Sequence, residues 1–325
     1  MTTNNKIRAI ALQQYGSLDG FTLIELPVPE PGKGEVRVRV HASAINPAEY
    51  KVALGELKFV HARNFPMVLG YDFSGVIEAV GEGAEWKVGD EVFGFLPYAP
   101  SNNRGAFAEA LLAKTNEIAL KPTGVSHIRA AAAATPALTA LQAIRDIGKL
   151  PQAGGRVLVT GISGGVGSTA IGVILKLGAV PVGVGSGRGI ELGKKLGASK
   201  VIDRQHQDIF KSSDGNFDVI FDAAAAYRWK QSKGALRSGG KYITTLPSVS
   251  LFTDKLKSLF TSTNAAFVGV KSRRDDLQLL GKWLESGLPI TIDSTIPVRD
   301  VAKGIKKLRG GEVLGRIAVD VINGF

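Results

Sequence analysis

The chain has 325 residues, a length that indicates two domains or one large one. Hydrophobic residues make up 44% of it and charged residues 21%, which is ordinary for a globular protein. A chain of this length buries well over half of its surface, so it needs no disulfide or structural metal to fold. Cysteine is absent, which excludes disulfides, thiolate zinc sites and cysteine nucleophiles and fits a reducing compartment.

Charge is distributed unevenly. The net charge is +11, and residues 125–270 contain 18 basic and 8 acidic side chains, whereas residues 1–124 contain 12 and 14. A basic segment attracts polyanions such as a dinucleotide phosphate, a nucleic acid or an anionic membrane. The sequence shows no RNA-binding module and no basic amphipathic anchor, so we expect no specific nucleic-acid partner. We also expect a cytoplasmic protein without a membrane span, because the N-terminus lacks a signal-peptide pattern.

The first third of the chain carries β-strand patterns. Residues 36–40 alternate valine with arginine, and residues 75–80 and 91–95 are apolar runs divided by glycine-containing turns. These patterns predict a small β-rich domain with long loops. The alanine-rich stretch 129–144 predicts a helix that Pro136 kinks or divides.

After Gly155 the pattern changes to strands that alternate with helices, which is typical of a parallel, doubly wound sheet. The predicted strands lie at 156–160, 180–184, 200–202, 217–221, 241–245 and 266–270, and the predicted helices at 166–177 and 190–196. The tail adds a predicted helix at 275–286 and a final strand at 316–321. The predicted fold class is therefore α/β.

A glycine-rich turn, residues 161–167, follows a predicted strand and opens a helix. Glycine lets the chain turn tightly, approach a pyrophosphate with its backbone, and pack the helix against the strand. The helix N-terminus then offers free N–H groups to phosphate. The turn predicts a dinucleotide site.

The end of the next predicted strand indicates which dinucleotide binds. A site that prefers NAD usually carries an acidic residue there for the ribose hydroxyls, and this chain has none before Glu191. Ser186 and Arg188 are instead a hydroxyl and a guanidinium, which suit a 2′-phosphate, and Arg204 lies just after the following strand. The sequence predicts NADPH.

Several runs, taken in order, resemble the zinc-free quinone oxidoreductase branch of the medium-chain dehydrogenase/reductase superfamily, which includes zeta-crystallin-like and alkenal-enone reductases. The runs span essentially the whole chain: AINPAEYK at 44–51, GYDFSGV at 70–76, VGDEVFG at 88–94, LTALQ at 138–142, the glycine turn, and LGA at 196–198. The resemblance implies a GroES-like catalytic domain (1–124 and 271–325), a Rossmann NADP-binding domain (125–270), a cleft between them, and a homodimer or tetramer.

The resemblance also implies roles for single residues. Asn46 matches a residue at the nicotinamide, and Thr139 matches one that contacts the cofactor. The phosphate-binding positions are Ser163, Gly164, Gly165 and Val166. Leu246 and Pro247 fall where relatives line the nicotinamide pocket. Relatives often have lysine where this chain has Gly189 and tyrosine where it has Arg204, so we hypothesise that Arg188 and Arg204 supply the phosphate contacts instead.

The chain also resembles zinc alcohol dehydrogenases, which hold a catalytic metal with cysteine and histidine. Ser43 lies near the expected cysteine position, and Tyr71 and Asp72 stand where those enzymes have histidine and glutamate. The four histidines are scattered without ligand spacing: His41, His61, His127 and His206. We therefore expect no zinc and no other metal.

Without a Lewis acid, alcohol oxidation is disfavoured, and the expected substrate accepts hydride at carbon: a quinone or an α,β-unsaturated carbonyl (an enone or enal). Tyr50 and Lys51 follow Asn46 and are candidate donors to the carbonyl oxygen. Two alternatives stay open. The true substrates are enones or enals rather than quinones, or the chain is a catalytically weak NADPH-binding protein with a regulatory, RNA-associated or membrane-associated role.

Overall fold

The computed structural model describes residues 6–58, 64–98, 104–150, 154–212 and 214–325, with the backbone alone at 249 and 250. The chain divides into two compact units. The first comprises Met1–Thr135, Ser272–Ser286 and Ile292–Phe325, and the second comprises Pro136–Lys271 and Gly287–Thr291.

The described residues form sixteen strands and eight α-helices. The strands are β1 (Lys6–Leu12), β2 (Phe21–Pro27), β3 (Glu35–Ile45), β4 (Met67–Val68), β5 (Asp72–Val80), β6 (Glu91–Phe95), β7 (Ala110–Lys114), β8 (Ile118–Leu120), β9 (Arg156–Thr160), β10 (Val180–Gly185), β11 (Lys200–Asp203), β12 (Phe217–Asp222), β13 (Leu236–Thr244), β14 (Asn264–Phe267), β15 (Ile292–Pro297) and β16 (Arg316–Asp320). The helices are α1 (Pro47–Ala53), α2 (His127–Leu141), α3 (Gly165–Lys176), α4 (Arg188–Lys195), α5 (Trp229–Ser232), α6 (Val249–Ser258), α7 (Arg274–Glu285) and α8 (Val301–Arg309).

The first unit is β-rich, as expected. One sheet has the strand order β15-β16-β3-β5-β6-β8, with β7 also paired to β3, and a smaller sheet has the order β2-β1-β4. In β3 the valines at 36, 38 and 40 are fully buried, which is what their alternation with arginine predicts. This packing fixes the register of β3, because a shift of one residue would bury the arginines.

Strand register brings three strand ends together in the first unit. Strand β16 pairs antiparallel with β3, so that Ile317 faces Ile45, and β3 pairs with β5, so that Ala44 faces Asp72. Arg316 at the start of β16, Asn46 just after β3 and Asp72 at the start of β5 therefore meet at one end of these three neighbouring strands.

The second unit contains the predicted parallel sheet. Six strands run parallel in the order β11-β10-β9-β12-β13-β14, and helices connect several of them. The order reverses at β9, which is the switch point at which open α/β sheets bind ligands. The fold class predicted from the sequence, a GroES-like unit with a Rossmann unit, is confirmed.

Helix α2 runs through Pro136 and is not divided there. The regular helix ends at Leu141, and a π-helix follows over Gln142–Gly148. At the junction of the two helices, the Gln142 side chain is bonded to the backbone of Lys271. Its amide donates to the Lys271 carbonyl (2.8 Å) and accepts from the Lys271 N–H (2.9 Å). Over the ranges that the structure describes, no helix has the length and apolar character needed to cross a membrane.

Candidate functional site

In the first unit, Asn46 lies at the junction of β3 and α1 and is buried. Its side-chain amide is held on both sides: Nδ2 donates to Asp72 Oδ2 at 3.1 Å, and Oδ1 accepts from the Arg316 guanidinium at 2.7 Å. Its backbone N–H donates to Glu49 Oε2 at 2.8 Å, as in a helix capping box. The orientation of this amide is therefore determined by its neighbours.

Asp72 is the centre of the same cluster. Besides Asn46 and Arg316, it accepts hydrogen bonds at Oδ1 from the backbone N–H of Thr135 (2.8 Å) and from the Thr135 hydroxyl. Burial raises the pKa of Asp72, and the charge of Arg316 and the hydrogen bonds from Thr135 and Asn46 oppose that rise. Four donors around one carboxyl favour its ionised form.

Of this cluster, only Asn46 was predicted as a site residue, and Glu49, Asp72, Thr135 and Arg316 were not. Arg316 is separated from Asn46 by 270 positions, and no local motif marks it. The signal that could have identified it is the predicted final strand, which begins with an arginine just before an apolar run. Long charged side chains at such positions are buried only when they are paired.

Tyr50 and Lys51, the predicted hydrogen-bond donors, lie on α1 and are partly exposed. The Tyr50 ring is near Arg309 of α8 and Glu56, and burial raises the pKa of its hydroxyl. Their catalytic role stays a prediction.

In the second unit, the glycine turn connects β9 to α3 as predicted. A Cβ at Gly167 would lie 2.2 Å from the Gly161 carbonyl oxygen, so this position accepts only glycine. A Cβ at Gly164 would meet nothing closer than 3.5 Å, so the space above Gly164 is open. Gly164 is also the N-cap of α3 and has no side chain to satisfy the first N–H groups of the helix. We call this open space at Gly164, beside the uncapped N–H groups at the start of α3, the glycine cradle. Such a site fits a diphosphate.

The predicted 2′-phosphate residues lie around the end of β10. The Arg204 N–H donates to the Gly185 carbonyl at 3.0 Å, which places the residue after β11 beside the last residue of β10. Arg188 and Arg204 are both exposed, and Ser186 is half-buried. A Cβ at Gly189, the position where relatives carry lysine, would lie 2.1 Å from Ser163 Oγ, so the serine hydroxyl would have to rotate to admit a side chain there.

Other predicted cofactor residues are placed as follows. Thr139 is buried in α2, and Ser163, Gly165 and Val166 are partly exposed in the glycine turn. Leu246 and Pro247 follow β13 and are exposed. Each of these assignments stays a prediction.

The side chains at positions that correspond to zinc ligands, and the described histidines, form hydrogen bonds or pack against other residues of the protein. The Ser43 hydroxyl donates to the Asp72 carbonyl at 2.7 Å, and Tyr71 is buried. His127 contacts Ser74 Oγ at 2.8 Å and stacks on His41, and His206 pairs with Asp203. His61 lies outside the described residues. Within the described ranges, no group of three or more histidine, cysteine, aspartate or glutamate side chains could hold a metal ion.

Comparisons with known proteins agree with this architecture. Residues 32–123 match the alcohol dehydrogenase GroES-like domain, and residues 196–319 match the zinc-binding dehydrogenase family. A chloroplastic quinone-oxidoreductase homolog of Spinacia oleracea is 29% identical over 97% of this chain and 98% of its own length. A 2-methylene-furan-3-one reductase of Solanum lycopersicum is 29% identical over 98% of this chain and 80% of its own length.

Among solved structures, a quinone oxidoreductase from Coxiella burnetii superposes with a TM-score of 0.87 at 26% identity, covering 97% of this chain and 99% of that one. The fold, the two matched domains and these relatives together support an oxidoreductase that uses a nicotinamide cofactor. The chain belongs to the medium-chain dehydrogenase/reductase superfamily, and its relatives include quinone oxidoreductases.

Proposed function

We propose that this protein is an NADPH-dependent reductase that transfers hydride to a quinone or to an α,β-unsaturated carbonyl and does not use zinc. The observation that carries the proposal is the open glycine cradle at Gly164, near the end of β10, which is followed by Ser186 and Arg188 with no acidic residue before Glu191. A carboxylate there would repel a 2′-phosphate, whereas a guanidinium binds it.

The residues of the chain have distinct tasks in this proposal. The N–H groups at the start of α3 bind the diphosphate, and Arg188 and Arg204 bind the 2′-phosphate. The nicotinamide supplies the hydride. The Asn46 amide orients the nicotinamide ring, and Tyr50 or Lys51 donates a hydrogen bond to the carbonyl oxygen of the acceptor as negative charge develops there.

Zinc independence is supported by the residue types. The chain has no thiolate, and Asn46, Ser43 and Asp72 already have hydrogen-bond partners in their own cluster. The acceptor must therefore be reactive toward hydride without a Lewis acid. Relatives named for quinone and for furanone reduction support both acceptor classes.

The proposal is tested by following NADPH oxidation with a quinone, a short enone and a long-chain enal, each also with NADH and with a chelator. We expect turnover that prefers NADPH and resists the chelator. The best acceptor then identifies the substrate class. Tight NADPH binding without turnover of any acceptor would contradict the enzyme proposal and favour a regulatory role.

Cofactor preference depends on two exposed arginines. We expect the double variant Arg188→Ala/Arg204→Ala to lose about 100-fold in kcat/KM for NADPH, because two exposed charge-assisted contacts of about 1.5 kcal/mol each are removed. NADH lacks the 2′-phosphate, so kcat/KM for NADH should change little. The ratio of the two kcat/KM values is the measurement. Lys194→Ala, on the exposed end of α4, is the control, and an unchanged preference in the double variant would refute the assignment.

We also propose that the protein is a homodimer. Strand β14 is an edge of the parallel sheet, and α6 packs beside it. This helix and the turn after it expose large apolar side chains: Phe252, Leu256, Leu259 and Phe260. A second copy, related by a two-fold axis, would cover both the strand edge and the apolar face. Light scattering should give twice the monomer mass of 34.3 kDa.

We also propose a cytoplasmic location, which differs from that of the spinach relative, a chloroplastic protein.

A further inference from the structure

The cluster around Asn46 contains two buried carboxyl groups and one buried guanidinium. Glu49 and Asp72 are fully buried, and Arg316 is 3% exposed. The two terminal nitrogens of Arg316 donate to Asn46 Oδ1 and to Asp72 Oδ2. Glu49 makes no ion pair with any residue that the structure describes. One cation therefore faces two carboxyl groups, and its hydrogen bonds go to only one of them.

The hydrogen bonds determine which carboxyl carries a proton. Each Asp72 oxygen accepts two hydrogen bonds, Oδ1 from Thr135 and Oδ2 from Asn46 and Arg316, so neither oxygen has room for a proton. Glu49 Oε2 accepts from the Asn46 N–H, and Glu49 Oε1 is buried without a hydrogen-bond partner. The proton therefore belongs on Glu49 Oε1.

The electrostatic surroundings agree. Burial raises the pKa of Glu49 to about 8, and the charge of Asp72 acts in the same direction, while hydrogen bonds from the backbone N–H groups of Glu49 and Asn46 and the charge of Arg316 oppose the rise. Among the described residues, the other titratable groups near Glu49 are the phenols of Tyr71 and Tyr98, whose pKa values are raised by burial. The cation that acts on Glu49 is Arg316, whose terminal nitrogens already donate to Asn46 and Asp72.

We propose that Glu49 is a neutral carboxylic acid and acts as a positioning residue. Because neutral Glu49 does not attract the Arg316 guanidinium, Arg316 stays bonded to Asn46 and Asp72. The Asn46 amide then keeps the orientation that hydride transfer requires. Ionised Glu49 would compete with Asn46 Oδ1 for the guanidinium and release the amide. The role of Asn46 at the nicotinamide rests on the proposed function. The protonation of Glu49 does not.

The test compares wild type, Glu49→Gln and Glu285→Gln between pH 6 and 10. Glutamine is a neutral isostere of the acid, and Glu285 is an exposed carboxyl at the end of α7. We expect kcat of wild type and Glu285→Gln to fall about tenfold per pH unit above pH 8 through one ionisation. The kcat of Glu49→Gln should stay flat, and Kd for NADPH should change less than threefold in all three proteins.

An infrared spectrum provides a readout that needs no turnover. Wild type at pH 6 should show a carboxylic acid C=O band that is lost above pH 9 and is absent from Glu49→Gln. If that variant fails to fold, loss of the band and of kcat at the same pH in wild type supports the proposal. A flat wild-type kcat profile, or an alkaline fall retained in Glu49→Gln, overturns it. If no acceptor is turned over, the proposed reductase function is contradicted independently of the role of Glu49. The fluorescence of bound NADPH across this pH range is then measured in place of kcat.

Discussion

Replacing Arg316 with methionine should lower the free energy of unfolding at pH 7 by about 3–5 kcal/mol, because Asp72 would be left buried as an uncompensated charge. The methionine keeps much of the length of the side chain, so a cavity contributes little to the loss. Denaturant unfolding followed by circular dichroism measures the change. Activity should fall as well, since the Asn46 amide loses the donor to its Oδ1.

Two comparisons separate the charge from other effects. The double variant Asp72→Asn/Arg316→Met removes both charges and should recover most of the stability, but not the activity. Arg8→Met removes a solvent-accessible ion pair, in which the side chain of Arg8 is 49% exposed and that of Glu109 is 33% exposed. This variant should lose about 1 kcal/mol or less in the free energy of unfolding. An Arg316→Met loss as small as that of Arg8→Met would contradict a buried, structurally important ion pair.

Alanine at Gly164 should weaken NADPH binding by about 100-fold, equivalent to about 2.8 kcal/mol, while the protein remains folded. The residue has φ −88° and ψ 169°, which alanine adopts easily, and the new methyl group meets no atom closer than 3.5 Å. That methyl group would occupy the space into which a phosphate must approach the N–H groups of α3. Quenching of protein fluorescence by NADPH gives the dissociation constant.

The neighbouring glycine provides a contrast. Gly167→Ala should destabilise the second unit by about 1–3 kcal/mol as well as weakening binding, because its Cβ would lie 2.2 Å from a backbone oxygen that cannot move freely. Gly234→Ala places a methyl group in open space and is the control for both measurements. Equal NADPH affinity in wild type and Gly164→Ala, with both folded, would show that the cradle does not bind the phosphates.

Much of the second unit could be predicted from local patterns. The helix expected at 166–177 lies at Gly165–Lys176, and the strand expected at 156–160 is β9. Buried parallel strands are continuous apolar runs, and a glycine turn between strand and helix has few structural alternatives, so a single sequence suffices. In the tail, β15 and α8 were not predicted, although Val301, Ile305 and Leu308 recur at the spacing of an amphipathic helix.

Local sequence patterns were sufficient to predict the α/β fold class, the position of the dinucleotide turn and the absence of an acidic residue at the end of β10, since each depends on residues close together in the chain. The cluster of Asn46, Glu49, Asp72, Thr135 and Arg316 is visible only in the folded protein. Antiparallel pairing of β16 with β3, and of β3 with β5, brings Arg316, Asn46 and Asp72 together at one end of these strands. The protonation of Glu49 follows from that burial, because the number of cations that reach a buried carboxyl is a property of packing in three dimensions.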